Sequence, residues 1–77
     1  MATASTHKVI SAQDASDGRT VYLTSCDAWT PDVAIAELLE ADDEGWRLAF
    51  AGRLRDVVSP NLVEARENTL GLAELAA

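Results

Sequence analysis

The sequence is poor in the residues that most often carry chemistry. Its 77 residues contain one cysteine, Cys26, and one histidine, His7. A single thiol excludes a disulfide within these residues, and the Cys/His content is too small for a structural zinc set. The four glycines are scattered, so no phosphate-cradling loop is present, and none of Ser11, Ser16, Ser25 or Ser59 sits in a Gly-x-Ser-x-Gly elbow. No apolar run approaches the ~20 residues of a membrane span. Residues 1–6 lack the charged start and apolar core of a secretory signal, which makes a reducing cytoplasm the expected location. Cations are scarce too: six Lys and Arg face thirteen Asp and Glu, a formal net charge of -7. Nucleic-acid backbones and anionic membranes would on average be repelled, so a protein partner is the expected one.

A chain this short has a thin core. With disulfide and zinc excluded, association with a partner, or with a second copy as a homodimer, is the expected source of extra stability. No cofactor is indicated.

What is present begins with a hairpin. HKVISAQ at 7–13 and RTVYLT at 19–24 flank Asp17-Gly18, a dipeptide suited to a tight turn because both residues tolerate positive φ. Val21 and Leu23 share one face of the second strand and Tyr22 takes the other. Ser25 to Ala28 reads as a second turn with Trp29 at its exit. Thr30-Pro31-Asp32 then has the form of a helix start, with Thr30 as N-cap. Local propensity extends that helix to Leu39; the competing reading is a single turn followed by a short strand near Ile35–Glu40.

Ala41-Asp42-Asp43-Glu44 is a second, acidic helix start, with Asp42 as the cap. Trp46, Ala49, Phe50 and Leu54 follow at i, i+3, i+4 and i+8, which predicts that Trp46 and Phe50 pack on Val21 and Leu23. A β-like run at Asp56–Val58 is expected to be interrupted by Ser59-Pro60, and Asn61–Arg66 alternates like a half-buried strand. The expected organisation is a disordered segment at 1–6, one α+β domain at 7–66, and a C-terminal tail or short helical turn at 67–77. The domain should hold a small antiparallel sheet, made of the N-terminal hairpin plus one or two further strands, with one main helix on one face.

Lys8-Val9, Ala12, SDG at 16–18, VYLT at 21–24 and Trp29 together resemble a bacterial family of small proteins, domain of unknown function number 2849. Thr30-Pro31-Asp32, Leu38, Asp42-Asp43-Glu44 and Val58-Ser59-Pro60-Asn61-Leu62-Val63 follow in the family's order, so the resemblance spans roughly residues 7–65. Members usually continue into a basic tail, from which this chain departs. The resemblance favours the turn-plus-strand reading of 31–40. Members are commonly encoded beside assimilatory sulfite reductase, which implies an accessory role near sulfite or nitrite reduction and no catalytic residue.

Two functions follow as expectations. One is a non-catalytic interaction module docking on a reductase component, with Tyr22 and Trp29 on an open sheet face and Asp42, Asp43 and Glu44 as contact residues. The other is a thiol-based sulfur carrier or redox protein using Cys26. Asp27 beside Cys26 works against a reactive thiolate, and His7 is the only base candidate. Asp14, Asp17 and Asp27 flank the two turns without the ligand spacing of a calcium loop, so no metal site is expected.

Overall fold

The computed structural model describes residues 7–76. The expectation of disorder at 1–6 lies outside the described residues.

Two extended runs joined by Asp17-Gly18 form β1 (His7–Asp14) and β2 (Thr20–Leu23), paired antiparallel with Ala12 opposite Val21. The turn is stitched by its own side chains. Asp14 Oδ1 accepts from the Ser16 amide at 2.8 Å and the Ser16 hydroxyl at 2.6 Å, and Asp17 Oδ1 accepts from the Arg19 amide at 2.9 Å. Gly18 has φ 77°, as the turn requires. The second turn returns the chain through Asp27, at φ 66°, into β3 (Trp29–Thr30), which pairs with β2.

After β3 the chain makes one 3-10 turn at Val33–Ile35 rather than a long helix. Asp32, not Thr30, caps it, accepting from the Ala34 amide at 3.0 Å, while the Thr30 hydroxyl accepts from the Asp32 amide. The backbone is extended again at Ala36. Glu37 N–H donates to Leu23, and Leu39 exchanges both backbone hydrogen bonds with Lys8. Helix propensity around Ala34–Leu39 therefore yields to tertiary pairing and to burial of Ala36 and Leu39.

The helix α1 (Ala41–Ala51) begins after Glu40, so Asp42 lies in the first turn with Asp43 and Glu44 instead of capping it. There the three carboxylates favour the positive end of the helix dipole. Glu44 also reaches Lys8 of β1 at 3.7 Å. β4 (Val57–Glu67) runs unbroken through Ser59-Pro60. The expected interruption is a bulge: Ser11 pairs with Asn61 and Gln13 with Val58, leaving Ser59 and Pro60 together opposite Ala12. Ser59 has φ 57°, and proline's missing N–H falls where the ladder is already irregular. Within the segment expected as a tail or helical turn, residues 73–75 form a strand. Asn68 organises a tight turn, its side-chain oxygen accepting from the amides of Leu70 and Leu72, and β5 (Ala73–Leu75) pairs back on β4.

The protein is thus α+β, with the hairpin plus three further strands in one antiparallel sheet of order β3-β2-β1-β4-β5. The helix covers one face through Leu48, Phe50 and Ala51, joined by Leu54 just beyond its C-terminus, packed on Ile10, Leu23, Leu39 and Leu62. The other face is also covered. Val33, Ala36 and Leu38 pack on Val9, Tyr22, Val63, Ala65 and Ala73. The sheet curls, so the turn that leaves one edge after β3 packs against β5 at the other edge. Ala73 is only 3% exposed, and that packing shields a strand that would otherwise offer unpaired backbone groups.

Candidate functional site

The most organised polar group is one the sequence reading passed over. Arg47 lies on α1 one turn before the buried Ala51 and is itself only 5% exposed. Its guanidinium is met on three sides. Nε donates to Glu37 Oε1 at 2.9 Å, Nη1 to Asp27 Oδ1 at 2.9 Å, and Nη2 to the Thr24 carbonyl at 3.2 Å. A planar fork with five donors suits such a set, and a buried charge needs it. The clasp ties the β2–β3 turn, the segment after the 3-10 turn and the helix to one another. It explains why Asp27 is held at positive φ. An apolar-periodicity count cannot find it, because arginine scores as polar. The only signal was the i, i+4 spacing of Arg47 and Ala51.

Arg47 also sets the helix face. With Arg47 and Ala51 turned inward, the core-facing side is rotated from the Trp46–Ala49–Phe50 stripe. Phe50 packs against the core as expected and Leu48 joins it. Trp46 does not: it is 58% exposed. Its ring is nevertheless fixed in orientation. The indole Nε1 donates to Asp43 Oδ1 at 2.9 Å, and the Arg47 guanidinium carbon lies 5.3 Å from the ring centroid. The same guanidinium is 5.1 Å from the Phe50 ring. The result is an aromatic side chain held upright on the open face of α1, with Asp42 exposed one turn before it.

The residues singled out from sequence are dispersed. Trp29 sits opposite Leu23 in the ladder and packs on the helix side with Ile10, Leu23, Ala12 and Val21. Tyr22 belongs to the opposite face and is half-buried against Val9 and Ala36. They do not form one open patch, because the 3-10 turn and the segment after it cover the face left free by the helix. Trp29 Nε1 and His7 Nδ1 are buried without a hydrogen-bond partner among the described residues. Cys26 is exposed at the tip of the β2–β3 turn. Leu39 takes the place beside Lys8 where an extension of β2 would run, so the turn leaves the ladder before reaching His7, and no Cys26/His7 pair forms.

An open depression of ≈ 610 Å³ lies between the two turns, lined in part by Asp14, Asp27, Trp29, Arg55 and Asp56. Its carboxylates are already engaged at two of three positions. Asp27 serves Arg47, and the Ser16 hydroxyl and amide hold the Asp14 carboxyl below the usual aspartate range. Asp17 turns to the Arg19 amide. Among the described residues no group of three or more His, Cys, Asp and Glu side chains is placed to hold a metal ion. No helix there is long and apolar enough to cross a membrane. At the far end of the sheet, Arg66 bonds Glu74 at 2.7 Å and holds its carboxyl below the usual glutamate range.

These features define a small α+β domain in which one helix and one 3-10 turn close the two faces of a curled five-stranded antiparallel sheet, with a tryptophan displayed on the helix. Over residues 8–76 the chain matches the family described as Protein of unknown function (DUF2849), and it belongs to that family. The match extends beyond residues 7–65, the span of the sequence resemblance, and includes β5. No curated protein and no solved structure matched the chain.

Proposed function

We propose that this protein is a non-catalytic accessory module that acts by docking on a larger protein, a component of sulfite or nitrite reduction. The observation that carries the docking reading is Trp46. A 58% exposed tryptophan contributes little to the core, yet two polar contacts hold its ring in one orientation. Pre-ordered exposed tryptophans lose little entropy on binding and are enriched among the residues that dominate interface energy. Asp42 and Asp43 precede Trp46 by four and three residues and are exposed beside it, whereas Glu44 is half-buried and turns to Lys8 of β1. Tyr22 and Trp29 support this surface only through the core. The choice of reductase rests on the gene neighbourhood common in the family. Calorimetric titration of the chain into the purified assimilatory sulfite reductase of its own organism tests it. Binding that Trp46→Ala weakens at least about tenfold supports the reading. No binding to the reductase overturns the reductase assignment, and binding indifferent to Trp46 overturns the anchor.

A second reading keeps a specific observation. Cys26 is exposed at the tip of a turn whose neighbour Asp27 is anchored by Arg47, a presentation that suits a carrier thiol. Mass spectrometry after exposure to sulfide and an oxidant reads the outcome. A persulfide on Cys26 formed faster than on a free thiol supports it; a rate equal to that of a free thiol rejects it.

A further inference from the structure

We infer that the open face of α1 takes a basic segment of the partner protein, with an arginine stacked against Trp46 and paired to Asp42. This rests on the docking reading above and goes further by naming the partner's chemistry.

The face is built from few residues. Asp42 and Trp46 are four apart and Asp43 and Trp46 three apart, the spacings that bring helical side chains side by side. Asp42, Asp43, Trp46 and Ala49 are all exposed. Asp43 spends one oxygen on the indole N–H, and Asp42 has no ion pair or side-chain hydrogen bond among the described residues. The exposed cation nearest along the sequence is Arg53, beyond the helix C-terminus. An indole face attracts a cation through its quadrupole, and the planar guanidinium both stacks on a ring and meets a carboxylate edge-on. Arg47 already lies at this ring from within the fold, so the protein itself shows the ring accepting a guanidinium.

Charge decides against the other occupants. A second copy docking symmetrically through this face would set Asp42 and Asp43 against themselves, between chains that each carry -7. A purely apolar partner would leave Asp42 at the rim without compensation. A basic segment satisfies both the ring and the carboxylate.

The test uses the Trp29→Phe chain, in which Trp46 is the sole tryptophan, titrated by fluorescence with a capped peptide of alternating arginine and leucine. The control peptide replaces arginine by citrulline, which keeps the shape and removes the charge. Tighter binding of the arginine peptide is expected, weakened about threefold by Asp42→Asn and about tenfold by Asp42→Lys, with circular dichroism unchanged. Added salt should reduce the preference. Equal binding of the two peptides, or affinity indifferent to both Asp42 substitutions, overturns the inference. In that case a reductase titration that still depends on Trp46 leaves the docking reading standing. A preserved arginine preference beside a reductase indifferent to Trp46 supports the inference and removes the reductase as the partner that uses this face.

Discussion

The two tryptophans invert the usual relation between burial and hydrogen bonding. Trp29 is packed between β2 and the core, and its indole N–H is buried without a partner among the described residues. Trp46 stands in solvent, where water could satisfy it, and yet its N–H is bonded to Asp43. The first arrangement costs folding energy for the sake of packing. The second fixes a side chain that the core does not need. Trp29 is therefore a structural residue and Trp46 is a displayed one, and Arg47 connects them. Arg47 anchors the turn that leads into β3 and lies at the Trp46 ring.

The largest expected effect falls on the floor beneath Trp29. Leu23 is 1% exposed and sits opposite it in the ladder, so Leu23→Ala should cost about 3 kcal/mol in urea unfolding. A loss under about 1 kcal/mol would mean that this part of the core is loosely packed. Arg47→Met keeps the stem and removes the fork. It should cost about 2 kcal/mol, less than a fully buried pair, because Asp27 and Glu37 reach solvent. The same variant should increase the mobility of the Trp46 ring, read as a drop in fluorescence anisotropy.

Trp29→Phe exchanges ring area for relief of the unpaired N–H. The two effects offset, and stability should stay within about 1 kcal/mol of the parent. A much larger loss would show that the N–H has found a partner and would dissolve the contrast with Trp46.

The smallest effect is electrostatic. The Ser16 hydrogen bonds depress the Asp14 carboxyl, and the Arg66 contact depresses that of Glu74. A depressed folded-state pKa gives stability that is fully present above the ordinary carboxylate range. That stability is lost as pH falls through the depressed value. Asp14→Asn should therefore cost a little stability at neutral pH, and that loss should disappear as pH falls through the depressed value, which flattens the acid limb of the stability curve. A stabilising effect at acid pH that grows towards neutrality would have the wrong sign.

What was legible in the sequence was local. Asp17-Gly18 between alternating runs specified the first hairpin, and the acidic start at Asp42–Glu44 specified the helix. Leu23 and Val21 were assigned to the core by strand alternation alone. The rest depended on contacts far apart along the chain. Leu39 leaves the helical state because Lys8, 31 positions earlier, pairs with its backbone. Pro60 is tolerated inside a strand because the extra residue is absorbed opposite Ala12. Nothing near residues 73–75 announces β5, since Ala-Glu-Leu is as good a helix as a strand and pairing with Ala65–Glu67 decides it. The buried helix face differs from the apolar stripe of the sequence for one reason. Three acceptors brought in by the β2–β3 turn and the segment before α1 make it favourable to bury Arg47, and Trp46 turns outward as a consequence. That rotation leaves an aromatic side chain on the open face of α1, while the 3-10 turn and the segment after it cover Tyr22.

The most direct test measures Trp46→Ala twice, by thermal unfolding and by titration into the purified sulfite reductase. The expected result is a midpoint within about 4 °C of the parent and an affinity lower by at least about tenfold. A parent-like affinity, or a midpoint that collapses with the substitution, would contradict the assignment of Trp46 as a displayed anchor.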